Sequence, residues 1–169
     1  MSKKTIILLF ILILTPVILY LVWPSDEARI KKLLKEGINA IEQEDLEHVM
    51  SKVSFNYRDD YGLTYLSIKE YMKKIFQQMN EISVEYENLA IKVHEKTASA
   101  EMDVRVVAQV GTDKGYVFGD YPNPEHIMLT LQKDRTQWYV IKTEGYKTEF
   151  YIEPVTKTAP EYKVTNTNK

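Results

Sequence analysis

The chain has 169 residues, no cysteine and a formal net charge of −2, with 22 basic against 24 acidic residues. Hydrophobic residues make up 44% and charged residues 27%, a composition that fits one ordinary folded domain and excludes a disordered or collagen-like chain. The missing cysteines exclude disulfides, thiolate metal sites and cysteine nucleophiles. The near-neutral charge gives no reason to expect a nucleic-acid partner.

An uncharged apolar segment, residues 5–23, stands near the amino terminus. As a helix it would be about 28 Å long, close to the hydrocarbon thickness of a bilayer. Two lysines precede the segment and two carboxylates follow it, so residues 1–4 are predicted to be cytoplasmic and the part of the chain after the segment extracytoplasmic. We therefore expect a single-pass protein of the cell membrane. A cleaved signal peptide is the competing interpretation, although the segment's exit lacks the small-residue pattern of a cleavage site.

Three amphipathic helices are predicted after the apolar segment. Ser25 is placed to cap the first helix, whose apolar residues recur every three or four positions over 30–41. Asp45 is placed to cap a short second helix. A capping box at 67–70 and an apolar stripe over 68–82 predict the third helix.

Apolar and polar residues alternate in the part of the chain that follows, which predicts strands. Three glycines and two prolines predict a long exposed loop at 111–125, and the polar residues 154–169 predict a loose tail. Helices followed by strands predict an α+β domain at 25–153, in which the helices cover one face of an antiparallel sheet. The alternating segments are 84–93, 98–110, 127–131 and 138–142, with a short final strand at 150–152.

The order of these elements, with three local segments, resembles a known superfamily. The segments are 40–47 at the first helix junction, Tyr-Arg-Asp-Asp-Tyr-Gly at 57–62, and Trp138 on a late strand. This layout resembles the nuclear-transport-factor-2-like superfamily, which includes SnoaL-like and cystatin-like proteins. The resemblance implies a cone of three helices packed on a curved antiparallel sheet around an internal cavity. Such a cone serves enzymes, ligand carriers and interaction modules alike, so the fold does not decide the function.

The best-known enzymes of this superfamily include the ketosteroid isomerases, which use a carboxylate base with a tyrosine and a protonated carboxylic acid. The resemblance places the base at Asp59 or Asp60 and the acid at Glu125, beside His126. The tyrosine would fall near Gly37, which has no side chain to donate a hydrogen bond. We therefore assign no catalytic residue. An isomerase- or cyclase-like enzyme using Asp60 with Glu125 or His126 is the alternative hypothesis.

The cavity that the resemblance implies gives a set of candidate ligand-binding residues. A competing interpretation of the two aspartates is that their carboxylates accept backbone N–H groups in the turn before the third helix. The tyrosines are equally suited to the edge of a core, with an apolar ring and a polar tip. The candidates are Tyr57, Asp59, Asp60, Tyr61, Glu125, His126 and Trp138.

Three aromatic residues in the predicted loop, Tyr116, Phe118 and Tyr121, form a candidate partner-binding site. Exposed aromatics are typical of partner contacts, and the same side chains also suit a plug for the open end of the cone. The loop glycines lack the spacing of a phosphate-binding loop. The histidines show no metal-ligand spacing, so no metal and no cofactor are expected.

These patterns favour a membrane-anchored, extracytoplasmic domain that is not an enzyme. Its expected partners are the membrane, through the amino-terminal helix, and a protein partner, a second copy of the chain or a small apolar ligand. No nucleic acid is expected to bind.

Overall fold

A computed structural model describes residues 24–146 and three residues of the apolar segment, Leu12, Leu14 and Thr15. No helix within this described part is both long and apolar enough to cross a membrane. Four predictions fall largely or wholly outside the described residues: the cytoplasmic flank at 1–4, the membrane helix at 5–23, the final strand at 150–152 and the tail at 154–169.

Three helices precede five strands in the described part of the chain, which confirms the predicted α+β class. The strands form one antiparallel sheet in the order β1-β2-β4-β5, and β3 pairs with the far end of β2. The elements are α1 Asp26–Glu42, α2 Leu46–Met50, α3 Tyr65–Gln78, β1 Met79–His94, β2 Thr97–Val110, β3 Asp113–Phe118, β4 Glu125–Asp134 and β5 Gln137–Glu144.

The helix starts follow the expected capping chemistry. The Ser25 hydroxyl accepts the backbone N–H of Ala28 at 3.2 Å, and Asp45 caps α2 in the same way, as predicted. The start of α3 is a correction. Thr64 is extended and its hydroxyl accepts the N–H of Ser67, so the capping box predicted from the sequence places this end three residues too late.

The boundary between α3 and β1 also differs from the prediction. Met79 and Ile82 continue the apolar spacing of the helix, yet both belong to β1 and pack with Ala108. A bulge between Asn80 and Ser83 shifts the register of β1 against β2. Because the bulge adds a residue, two positions three apart face the same side of the sheet and imitate the helical period.

The prediction of a loop at 111–125 is wrong for its first half, where the structure has the strand β3. Gly111, with a φ of +64°, forms the turn, and β3 then pairs Tyr116 with Val107 of β2. The short strand contains a glycine and two charged residues, which hide its alternation. The rest of the predicted loop connects β3 to β4.

The core lies between the first half of α1 and the inner face of the sheet. Ala98 and Ala100 of β2 are small and fully buried, so Ile30 and Leu34 of α1 pack closely against the sheet. Leu131 of β4 belongs to the same core and is fully buried. The second half of α1 lies over a space that these side chains do not fill.

Candidate ligand-binding site

A cavity of about 360 Å³ lies between the helices and the inner face of the sheet. This volume is within the range of small-molecule sites, which are concave and mostly apolar. Almost no polar atom is exposed on its wall. The wall includes Leu33, Leu34, Gly37, Ile38 and Ile41 of α1, Ile68, Tyr71, Met72 and Ile75 of α3, and Met102, Val104, Val106, Phe118, Ile127, Leu129 and Val140 of the sheet.

The apolar face of α3 forms one side of this wall. Ile68, Tyr71, Met72 and Ile75 line the cavity, and none of the residues of α3 is buried. A buried core helix would instead have its apolar stripe enclosed by neighbouring side chains. The stripe predicted for this helix is therefore real, but it faces empty volume in addition to packed core.

A buried carboxylate lies behind one end of the wall. Asp59 is only 5% exposed, and it accepts four hydrogen bonds. Its Oδ1 accepts the backbone N–H groups of Tyr61, at 3.0 Å, and Leu63, at 2.9 Å. Its Oδ2 accepts the hydroxyls of Tyr57, at 3.4 Å, and Tyr146. The interpretation that this aspartate orders the turn before α3 is confirmed.

Both tyrosine hydroxyls stay protonated because of this environment. Burial raises the pKa of Tyr146 above its ordinary value, and the hydrogen bond to the Asp59 carboxylate raises it further. Burial likewise raises the pKa of Tyr57, with a smaller contribution from the charge of Asp59. The two phenols donate to the carboxylate, so the cavity receives mainly the carbon atoms of their rings.

These raised pKa values predict a loss of stability in alkaline solution. The unfolded phenols ionise near pH 10, while the folded ones keep their protons to a higher pH. The unfolded state therefore binds fewer protons above about pH 10, and the free energy of unfolding falls as the pH rises through that value. Tyr146→Phe is expected to reduce this fall, measured by urea unfolding at about pH 8 and about pH 11. Equal pH dependence in both proteins would contradict this assignment.

The structure separates the residues proposed for acid–base chemistry. The Asp60 carboxylate is exposed and forms an ion pair with Lys142 at 3.0 Å. His126 Nδ1 lies 2.8 Å from Asp103, and its side chain is 63% exposed. In the described part of the chain, neither these two residues nor Glu125 contributes to the cavity wall. Asp60 is therefore not brought together with Glu125 or His126 around the cavity.

The remaining cavity candidates have different positions. Tyr57 lines the cavity, whereas Tyr61 is 51% exposed and donates its hydroxyl to the Tyr146 carbonyl at 2.9 Å. Trp138 is a correction, because it lies in the core away from the wall. Its Nε1 donates to Asp26 Oδ1 at 3.1 Å and so fixes the start of α1 to β5. The Lys133 ammonium, bonded to the same carboxylate, lowers the pKa of Asp26.

The three aromatic residues predicted as a partner-binding site do not lie on one surface. Phe118 packs against the core and lines the cavity, while Tyr116 and Tyr121 are exposed. The Tyr121 ring lies 5.5 Å from the Arg105 guanidinium. Binding of a protein partner or a second copy through Tyr116 and Tyr121 stays a prediction.

Two positions at the site were not assigned from the sequence. Tyr146 bonds Asp59 from 87 positions away, and no local pattern announces such a contact. In the sequence, Gly37 stands out only as the position where the resemblance to ketosteroid isomerases would require a tyrosine, whereas the structure places it on the cavity wall. Among the described residues, no group of three or more histidine, aspartate or glutamate side chains could hold a metal ion.

No protein-family model and no curated protein sequence matches the chain. Solved structures do match its fold. A protein from Novosphingobium aromaticivorans, provisionally named scytalone dehydratase, has 14% identity and a TM-score of 0.59 over 78% of this chain and 93% of its own. An NTF2-like protein from Cytophaga hutchinsonii has 12% identity and a TM-score of 0.57 over 71% and 96%. The chain has the fold of NTF2-like proteins.

A third similar structure, Bd1075 from Bdellovibrio bacteriovorus, has 14% identity and a TM-score of 0.58 over 69% of this chain. The chain covers 40% of the length of that protein. Further neighbours have a cystatin-like fold. These similarities confirm the fold that the resemblance implies. At such low identities they show the fold alone, and similar folds carry both enzymatic and binding roles.

Proposed function

We propose that this chain is a membrane-anchored, extracytoplasmic domain that binds a small apolar ligand in its cavity and catalyses no reaction. The observation that carries the proposal is the cavity of about 360 Å³ whose wall exposes almost only apolar atoms. A folded core is normally packed with few voids larger than a water molecule. An unfilled apolar space of this size is therefore well suited to a ligand.

The alternative, an isomerase- or cyclase-like enzyme, has less support. General acid–base catalysis needs a side chain within hydrogen-bond reach of the reacting atoms. Asp60 is paired with Lys142 at the surface, and His126 is paired with Asp103. The buried carboxylate of Asp59 already accepts four hydrogen bonds, which favours a structural role.

Binding is tested by equilibrium dialysis of naphthalene and 2-naphthol against the full chain in lipid nanodiscs, with empty nanodiscs as the blank. We expect saturable binding of at least one probe at one site per chain. Val106→Phe, on the cavity wall, is expected to weaken it by about tenfold or more, because the larger ring occupies the ligand's space. Val107→Phe is the matched control on the next residue, which is not part of the wall. The proposal fails if the wild type binds neither of these two probes nor decanoate, the alkyl-chain probe used below.

The proposed location rests on the apolar segment at 5–23 and the basic residues before it. Protease added to cells whose outer envelope has been permeabilised is expected to digest the domain while the inner membrane stays intact. A domain that is digested only after the inner membrane is lysed would contradict the proposed orientation.

A further inference from the structure

Gly37 is an unexpected residue in the interior of α1. Glycine weakens a helix interior, because it loses more backbone freedom on folding than alanine does. Its backbone is not in the left-handed region, and a Cβ built on it would meet nothing within 4 Å outside the helix backbone. Neither a turn nor a close approach of another chain segment therefore requires glycine here. The space that a side chain would occupy belongs to the cavity.

The polar residues that line the cavity are Lys52, Tyr57, Thr143 and Tyr146, and their polar atoms are almost entirely covered at its wall. The hydroxyls of Tyr57 and Tyr146 donate to Asp59, and the Lys52 ammonium bonds Glu36 at 2.6 Å. A ligand hydroxyl brought into this space would lose its hydrogen bonds to water without gaining equivalent ones. Such an unpaired polar group makes binding less favourable.

Taking the proposed function as its basis, we propose that the buried part of the ligand is a hydrocarbon body without hydrogen-bonding groups, and that this body lies directly against Gly37. Any polar group of the ligand stays outside the cavity. Gly37 then determines how large a body is accepted. A fused aromatic ring and the alkyl chain of a lipid share this chemistry.

Substitution of Gly37 tests the contact. Gly37→Leu is expected to weaken naphthalene binding by about tenfold or more in nanodiscs, because its side chain fills the ligand's space. The same change is expected to raise the midpoint of thermal unfolding by roughly 2–6 °C, because glycine is removed from a helix. Loss of binding with a gain in stability cannot come from misfolding. Asn39→Ala, at an exposed position of α1, is the control that raises stability and leaves binding unchanged.

Matched probes test the chemistry of the ligand. Naphthalene is expected to bind at least as tightly as 2-naphthol after subtraction of the empty-nanodisc blank. Stronger binding of decanoate than of naphthalene would identify an alkyl chain, and the reverse order would identify a ring; both support the inference. Tenfold tighter binding of 2-naphthol, or unchanged binding by Gly37→Leu, would overturn this inference and leave the proposed function standing. Failure of all three probes on the wild type would overturn both.

Discussion

Gly145→Ala is expected to lower the free energy of unfolding by about 3 kcal/mol or more. Gly145 follows β5 with a φ of +89°, and a Cβ there would overlap the carbonyl oxygen of His126 on β4. The atoms that this Cβ would meet, in His126 and Ile127, all belong to the backbone. The overlap can therefore be relieved only if the end of the β4–β5 pair separates. Urea unfolding of the full chain, followed by tryptophan fluorescence, measures the change.

Gly62→Ala is the matched control for this prediction. Gly62 has a similar φ of +81°, but a Cβ there would meet nothing within 4 Å. Alanine at this position is expected to cost about 1–2 kcal/mol, the backbone strain alone. Equal losses at the two positions would show that the close approach of β4 to Gly145 adds nothing to the backbone strain.

Asp59→Ala is expected to lower the free energy of unfolding by about 3–4 kcal/mol. The change leaves the N–H groups of Tyr61 and Leu63 and the hydroxyls of Tyr57 and Tyr146 without their common acceptor. A buried donor without a partner costs more free energy than an average hydrogen bond contributes, because the donor has also lost its hydrogen bonds to water. The measurement is again urea unfolding at neutral pH.

The adjacent residue gives the control. Asp60 is exposed and forms only a surface ion pair with Lys142 in the described structure, so Asp60→Ala is expected to cost at most about 1 kcal/mol. Similar losses for the two variants would contradict the structural role of the buried carboxylate.

Local chemistry explains which parts of the fold could be predicted. The caps at Ser25 and Asp45 depend on hydrogen bonds three residues along the chain, and both were predicted correctly. The alternation of β2 was equally clear, because β2 has a buried face along most of its length. The end of α3 could not be predicted in this way, because the bulge after Asn80 gives the first residues of β1 a helix-like spacing.

The site depends on longer-range relations, which the sequence shows poorly. The turn that Asp59 orders is local, and the sequence predicts it as one interpretation of the aspartate pair. The hydrogen bond from Tyr146 to the same carboxylate joins residues 87 positions apart. The cavity itself is the difference between the volume enclosed by the elements and the side chains that fill it. No single residue specifies that difference, although Gly37 is the clearest contributor.

Methyl NMR of the full chain in lipid nanodiscs, with and without naphthalene or decanoate, shows directly whether a ligand enters the cavity. Saturable shift changes are expected at the methyl groups of Ile127, Leu129 and Ile68, which line the cavity, and none at Val107, which does not. These changes are expected to disappear in Gly37→Leu. Shift changes confined to Leu66 at the surface, or none at all with either naphthalene or decanoate, would contradict the claim that the cavity is the binding site.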